Sequence, residues 1–119
     1  MEADNMDKSE KWDDGEDTIM DIFERIEDSK ETQIPVKCPI CHTYNAHIYM
    51  HRWEDGRGTI WTWCSKCKSC AHWSRENLPI WWENAEFIDT SELTSHPVFL
   101  EPKAAMVDRH LKKLLDNCH

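Results

Sequence analysis

The chain has 119 residues, of which 31% are charged and 39% hydrophobic, and its formal net charge is −9. This length predicts one small domain with tails, whose limited core makes a metal site important for stability. The first residues contain neither a basic segment nor an apolar run, and no stretch approaches transmembrane length. We therefore expect a cytoplasmic protein rather than a secreted or membrane protein.

The negative charge is concentrated at the N-terminus. Residues 1–32 carry 13 acidic and four basic side chains, whereas residues 33–119 carry ten of each. Within the second part, residues 37–75 have six basic and two acidic side chains, a net charge of +4. An acidic N-terminal segment therefore precedes a mildly basic centre.

Residues 1–16 are acidic and poor in apolar side chains, which predicts a disordered tail. In residues 17–31, four apolar residues recur at helical spacing and predict a short amphipathic helix. A helix of this length must dock on another surface to be stable. We favour docking on the rest of this chain or on a second copy, and docking on a partner is the alternative. The four residues, which would then contact that partner, are Ile19, Ile22, Phe23 and Ile26.

Two Cys-x-x-Cys pairs are the most informative feature of the sequence. The first pair includes a proline, Pro39, which favours a tight turn, and 22 residues separate the two pairs. This pattern is typical of a tetrahedral Zn²⁺ site with four thiolate ligands. Three disulfides among the six cysteines are a less favoured alternative, because disulfides are rare in the cytoplasm. We predict one structural zinc ion, bound by Cys38, Cys41, Cys64 and Cys67.

A third cysteine competes for the second half of the site. Cys67 and Cys70 have the same spacing as Cys64 and Cys67, so Cys70 is the alternative metal ligand. We favour Cys64 and Cys67 because the preceding predicted strand ends at Cys64. Cys118, near the C-terminus, is expected to be a packing residue or a free thiol. Four histidines are reserve ligands: His42, His47, His51 and His72.

Aromatic and β-branched side chains predict strands at residues 47–53 and 59–63, on either side of a turn with two glycines. A third strand is predicted at residues 69–74. Three strands combined with two Cys-x-x-Cys turns predict a zinc ribbon at residues 37–75, with a three-stranded antiparallel sheet and two zinc knuckles.

Residues 76–119 are predicted to form a helical extension that packs on the ribbon. Residues 77–84 resemble a short capped helix, with Asn77 as the N-cap and Pro79 in the first turn. Residues 103–117 contain an apolar stripe that predicts a second helix, buried in the core or in a dimer seam. The whole chain is thus predicted to be a small α+β protein, in which an N-terminal and a C-terminal helix flank the zinc ribbon.

Six of the seven tryptophans lie between residues 53 and 82. They are interpreted either as a substitute for the core that a small sheet lacks or as an exposed platform for bases or a partner protein. We expect residues 78–100 to cover some of these rings and leave one or two exposed. With the helical stripe above, the candidate partner-binding residues are Trp53, Trp61, Trp63, Arg52 and Arg57.

Several segments together resemble a group of small bacterial zinc-ribbon proteins of the kind found as immunity proteins in toxin gene clusters. The resemblance covers about residues 37–88 and implies the zinc-ribbon fold and an immunity role, without any catalytic residue. The matching segments are Cys38–Cys41, His47–His51, Gly58–Lys68 and Leu78–Asn84.

The sequence contains no nucleophile elbow, phosphate loop or deaminase signature, and a four-cysteine zinc site has no open position for catalysis. We therefore predict a non-enzymatic protein that binds another macromolecule. The favoured partner is a protein, bound in an immunity or inhibitor role by an acidic, Trp-rich surface that meets a basic partner. The alternative is a nucleic-acid-binding or transcription-associated ribbon whose acidic tail is autoinhibitory.

Overall fold

The computed structural model describes residues 13–14, 17–27, 33–94 and 97–118. Most of the predicted acidic tail, and residues 28–31 of the predicted N-terminal helix, lie outside the described residues. The described part forms a small α+β fold with a three-stranded antiparallel sheet and two α-helices, as the sequence predicts. None of the described helices is long and apolar enough to cross a membrane.

The antiparallel sheet gains a short fourth strand at one edge. The strands are β1 (Asp13–Asp14), β2 (Ala46–Arg52), β3 (Gly58–Cys64) and β4 (Ser69–Arg75). Their spatial order is β1-β4-β3-β2, and β1 pairs in parallel with the start of β4. The structure thus differs from the predicted disordered tail at residues 13–14, whose backbone pairs with the open edge of β4.

A tight turn joins β2 to β3, where the sequence predicts a hairpin. The Trp53 amide donates to the carbonyl of Arg57, and the Gly56 amide donates to the carbonyl of Trp53. Gly56 has a φ of 91°, a backbone conformation that glycine adopts without steric cost. The register then pairs Ala46 with Cys64, which brings the end of β3 beside the start of β2.

The N-terminal helical segment covers one face of the sheet. A short 3₁₀ helix (Asp17–Met20) leads into α1 (Asp21–Glu27). The Phe23 ring meets the edge of Trp73 on β4, with ring centroids 6.0 Å apart. The apolar stripe of the helix docks on this protein's own sheet, and its members Ile19, Ile22, Phe23 and Ile26 are all at most 4% exposed.

The C-terminal helix α2 (Ala104–Cys118) covers the opposite face and follows a short 3₁₀ helix (Glu101–Lys103). Its buried residues are Val107, Leu111, Leu114 and Leu115, whereas Met106 of the predicted stripe is 39% exposed. The side chain of Cys118 lies outside the described residues. The sheet is therefore the middle layer of a three-layer structure.

The predicted short helix at residues 77–84 is wrong. This segment forms a turn in which the Trp82 amide donates to the carbonyl of Pro79, and none of residues 77–84 is helical. The side chain of Arg52 binds the carbonyls of both residues and fixes the turn. Tertiary contacts therefore override the local signals of Asn77 and Pro79. A 3₁₀ helix (Thr90–Glu92) lies further along the chain and begins after its N-cap, Asp89.

Candidate metal centre

The first Cys-x-x-Cys turn, at residues 38–41, directs backbone amides at a sulfur atom. The amides of Ile40 and Cys41 lie 3.3 and 3.5 Å from Sγ of Cys38. The His42 amide donates to the carbonyl of Cys38, and His42 itself has a φ of 66°. This left-handed residue ends the turn and reverses the chain towards β2.

The second turn, at residues 64–67, repeats this geometry. The Lys66 amide lies 3.3 Å from Sγ of Cys64, and the Lys68 amide donates to the carbonyl of Cys64. Lys68 has a φ of 65° and so occupies the position that His42 occupies in the first turn. The two turns therefore have the same backbone conformation, and each directs an amide at the sulfur of its first cysteine.

A hydroxyl group also contacts the second cysteine of each turn, which the sequence analysis missed. Thr43 Oγ1 lies 3.1 Å from Sγ of Cys41, and Ser69 Oγ lies 3.3 Å from Sγ of Cys67. The repeated pattern Cys-x-x-Cys-x-Thr/Ser in the sequence is the signal that would have revealed both residues.

The structure brings the four predicted cysteines together. Their sulfur atoms all lie within 4.8 Å of one another, with 3.8 Å between Cys38 and Cys67 and 3.6 Å between Cys41 and Cys64. A Zn–S bond of about 2.3 Å places sulfur atoms about 3.8 Å apart at the corners of a tetrahedron. None of these four thiols is in a disulfide, so the alternative of three disulfides is wrong for them. The cluster is compatible with binding one metal ion.

Cys70, the alternative ligand, does not belong to this cluster. It is buried within β4, opposite Trp63 of β3, because β4 already begins at Ser69. None of the four histidines that the sequence analysis names as reserve ligands belongs to the cluster either. Cys64 and Cys67 take these positions because the turn between β3 and β4 contains both.

Burial raises the pKa of Cys38 and Cys64, because a thiolate at either position loses hydration. Burial acts in the same direction on Cys41, but hydrogen bonds from the Thr43 hydroxyl and amide outweigh it and lower the pKa of Cys41 to about 6. Metals bind thiolates, and a bound dication would offset the cost of burying their negative charge.

A hydrogen-bonded network links the metal centre to α2. Nε2 of His47, on β2, lies 2.8 Å from Oγ of Ser65, which stands between the two cysteines of the second turn. Nδ1 of the same ring lies 2.8 Å from the carboxylate of Asp108 on α2. Ser65 also donates to Glu101, and that carboxylate accepts a hydrogen bond from Nε1 of Trp63. Both ring nitrogens of His47 are thus hydrogen-bonded, and the residue connects the second cysteine turn to α2 instead of being a ligand.

The structure corrects much of the predicted partner-binding set. Trp61 and Trp63 are 4% and 0% exposed, and their indole nitrogens donate to Thr94 and Glu101. Their rings pack beneath the C-terminal segment and do not form an exposed platform. The four residues of the N-terminal apolar stripe are buried too, as described above. Six candidate partner-binding residues are thus core residues, and for the four of the stripe this agrees with the favoured prediction that the helix docks on its own chain.

Three of the predicted residues lie at the hairpin end of the sheet. Trp53 is 38% exposed, and its ring lies against His51, with centroids 4.3 Å apart. Arg57 is exposed in the turn, whereas the guanidinium of Arg52 is bound to backbone carbonyls. Of the original set, only Trp53 and Arg57 are therefore exposed, and the Trp53 ring is held by a hydrogen bond from Nε1 to the Thr59 hydroxyl.

Comparison with known proteins gives no further assignment. No protein-family model matches the chain, and neither a curated protein nor a solved structure is significantly similar to it.

Proposed function

We propose that the chain is a non-enzymatic zinc-ribbon protein that binds a partner protein in an immunity or inhibitor role. Zinc is the metal that best suits four thiolates at tetrahedral spacing. Four sulfur ligands saturate such an ion, so it has no position for water or substrate. The ion would then stabilise the fold by holding the two turns together at one end of the sheet.

The covering of both sheet faces supports a protein partner over a nucleic acid. Single-stranded nucleic acids bind to exposed aromatic rings on which bases can stack. Here α1 covers one face of the sheet and α2 the other, and the rings of Trp61, Trp63 and Trp82 are buried. This burial is the observation that carries the choice of partner.

A cationic face of α2 is the observation that favours a nucleic acid, the second candidate. Arg109, Lys112 and Lys113 are exposed at helical spacing and line an open groove of about 460 Å³ together with the acidic Asp116. Three cations on one helix can contact a phosphate backbone. The formal charge of −9 on the whole chain opposes such contacts, so this candidate ranks second.

Co-purification of the tagged, metal-loaded chain with co-expressed products of neighbouring genes tests the proposal. We expect one zinc ion per chain and a protein partner that stays bound after nuclease treatment. Titration of the same sample with random single- and double-stranded DNA should give no binding. Recovery of nucleic acid alone, with affinity that falls steeply as salt rises, would support the second candidate instead.

A further inference from the structure

The turn at residues 79–82 presents an apolar side chain entirely to solvent. Ile80 is 98% exposed, while the turn is closed by the hydrogen bond from the Trp82 amide to the carbonyl of Pro79. Trp81, the other central residue of the turn, is half-buried beside Trp82. Ile80 therefore contributes almost no packing to the fold and has its whole side chain available for another molecule.

Arg52 holds this turn rigidly against the sheet. Its guanidinium donates to the carbonyl of Trp82 at 2.8 Å and to the carbonyl of Pro79 at 2.9 Å, so it spans both ends of the turn. The side-chain amide of Asn84 in turn bonds both the amide and the carbonyl of Arg52. Arg52, the last residue of β2, thus fixes the turn at both its first and its last residue.

Buried residues on either side of the turn anchor it further. Leu78 is 7% exposed and packs over Gly58, while Trp82 is fully buried against Tyr49 and His110. A lone exposed apolar residue on a protein surface needs no explanation. An exposed apolar residue on a rigidly held turn is a better candidate for binding, because a pre-organised anchor loses little conformational entropy when it binds.

The chain segment that contains the turn is acidic. Residues 76–92 contain no Lys or Arg, and their five acidic side chains, Glu76, Glu83, Glu86, Asp89 and Glu92, are all exposed. An open cleft of about 630 Å³ lies beside Arg52, whose guanidinium binds the turn, and its lining includes Glu54 and Asp55. Trp53 lines the same cleft, so the turn and the cleft meet at Arg52, at the hairpin end of the sheet.

We propose that the Ile80–Trp81 turn is the anchor through which this protein binds its partner, a protein with an apolar pocket bordered by basic residues. The inference rests on the proposed function and identifies the surface that performs it. The five exposed acidic side chains of residues 76–92 favour a basic protein over a phosphate backbone as the partner. The buried Trp61 and Trp63, which the sequence nominates, are replaced in this role by Ile80 and Trp81.

Site-specific photo-crosslinking on the full metal-loaded chain tests this assignment. A benzophenone amino acid is placed at position 80, and a control chain carries it at position 106, where Met106 is exposed on α2. The protein captured at position 80 is identified, purified and titrated by calorimetry against wild type, Ile80→Ser and Met106→Ser. Neither substitution removes a buried side chain, so both variants should fold, which circular dichroism verifies.

We expect capture of a basic protein at position 80 only. Ile80→Ser should weaken its binding by about tenfold or more, and Met106→Ser by less than about twofold. Equal capture at both positions, equal affinity of the two variants, or capture of a second copy of this chain would overturn the assignment. If the wild type and Ile80→Ser bind a partner protein equally well, only this inference fails. If the wild type binds nucleic acid and no protein, the proposed function fails as well.

Discussion

Gly58 lies directly beneath Leu78, so that a β-carbon at position 58 would overlap the leucine side chain. The contact joins the first residue of β3 to the chain that leads into the exposed turn. Glycine is required here by close packing rather than by backbone conformation. The same contact is one of those that fix the position of Ile80.

Gly58→Ala should lower the free energy of unfolding by about 1–3 kcal/mol, because the added methyl group overpacks the contact with Leu78. Denaturant titration of the metal-loaded chain measures the loss. In the Leu78→Ala background the same substitution should cost much less, since the space is then open. Gly56→Ala is the control: its cost of about 1 kcal/mol arises from a positive φ, and Leu78→Ala should not change it. Equal costs of Gly58→Ala in both backgrounds would contradict this account.

The contact between His47 and Asp108 gives a second prediction. Asp108→Ala leaves the buried His47 ring without its partner on α2 and should destabilise the fold by about 1–3 kcal/mol. Asp116→Ala on the exposed side of the same helix should change stability by less than about 0.5 kcal/mol. Urea titration of both variants measures the difference. Equal stabilities would mean that the network does not hold α2 to the sheet.

The four-cysteine cluster could be predicted from sequence because its signals are local. Two residues between cysteines let both sulfurs of one turn meet one ion, and the strand that ends at Cys64 favours this residue over Cys70. The hairpin was equally local, since the glycines mark its turn. These features depend on residues that are neighbours along the chain.

The partner surface could not be predicted, because burial depends on what folds over each face. Trp61 and Trp63 lie two residues apart on the same face of β3. Both are core residues because the C-terminal segment docks on that face. The turn around Ile80 looks helical in isolation, and the distant Arg52 decides otherwise by binding its carbonyls. Neither contact can be inferred from the spacing of residues along the sequence.

Metal analysis of two cysteine variants gives a third prediction. Cys70→Ser should retain one zinc ion per chain, because Cys70 lies outside the four-sulfur cluster. Cys64→Ser should lose the metal and much of the folded signal in circular dichroism, since a structural zinc site contributes directly to folding. Zinc released by a thiol reagent and counted with a chromogenic chelator measures the content. Loss of zinc from Cys70→Ser with retention in Cys64→Ser would exchange the roles of the two residues.

The hydroxyl of Thr43 should strengthen metal binding from outside the ligand set. Asn45 donates to Oγ1 of Thr43 at 2.9 Å, which leaves the hydroxyl proton to point at Sγ of Cys41, 3.1 Å away. Thr43→Val keeps the shape of the side chain but removes this hydrogen bond, and it should weaken zinc binding by about tenfold. Competition with a chelator of known affinity measures the change. Thr90→Val, an identical substitution at an exposed position far from the cluster in sequence, should leave the affinity unaltered. If the two variants bind zinc equally well, the Thr43 hydroxyl does not affect zinc affinity, and the threonine or serine after each cysteine pair stabilises only the conformation of the turn.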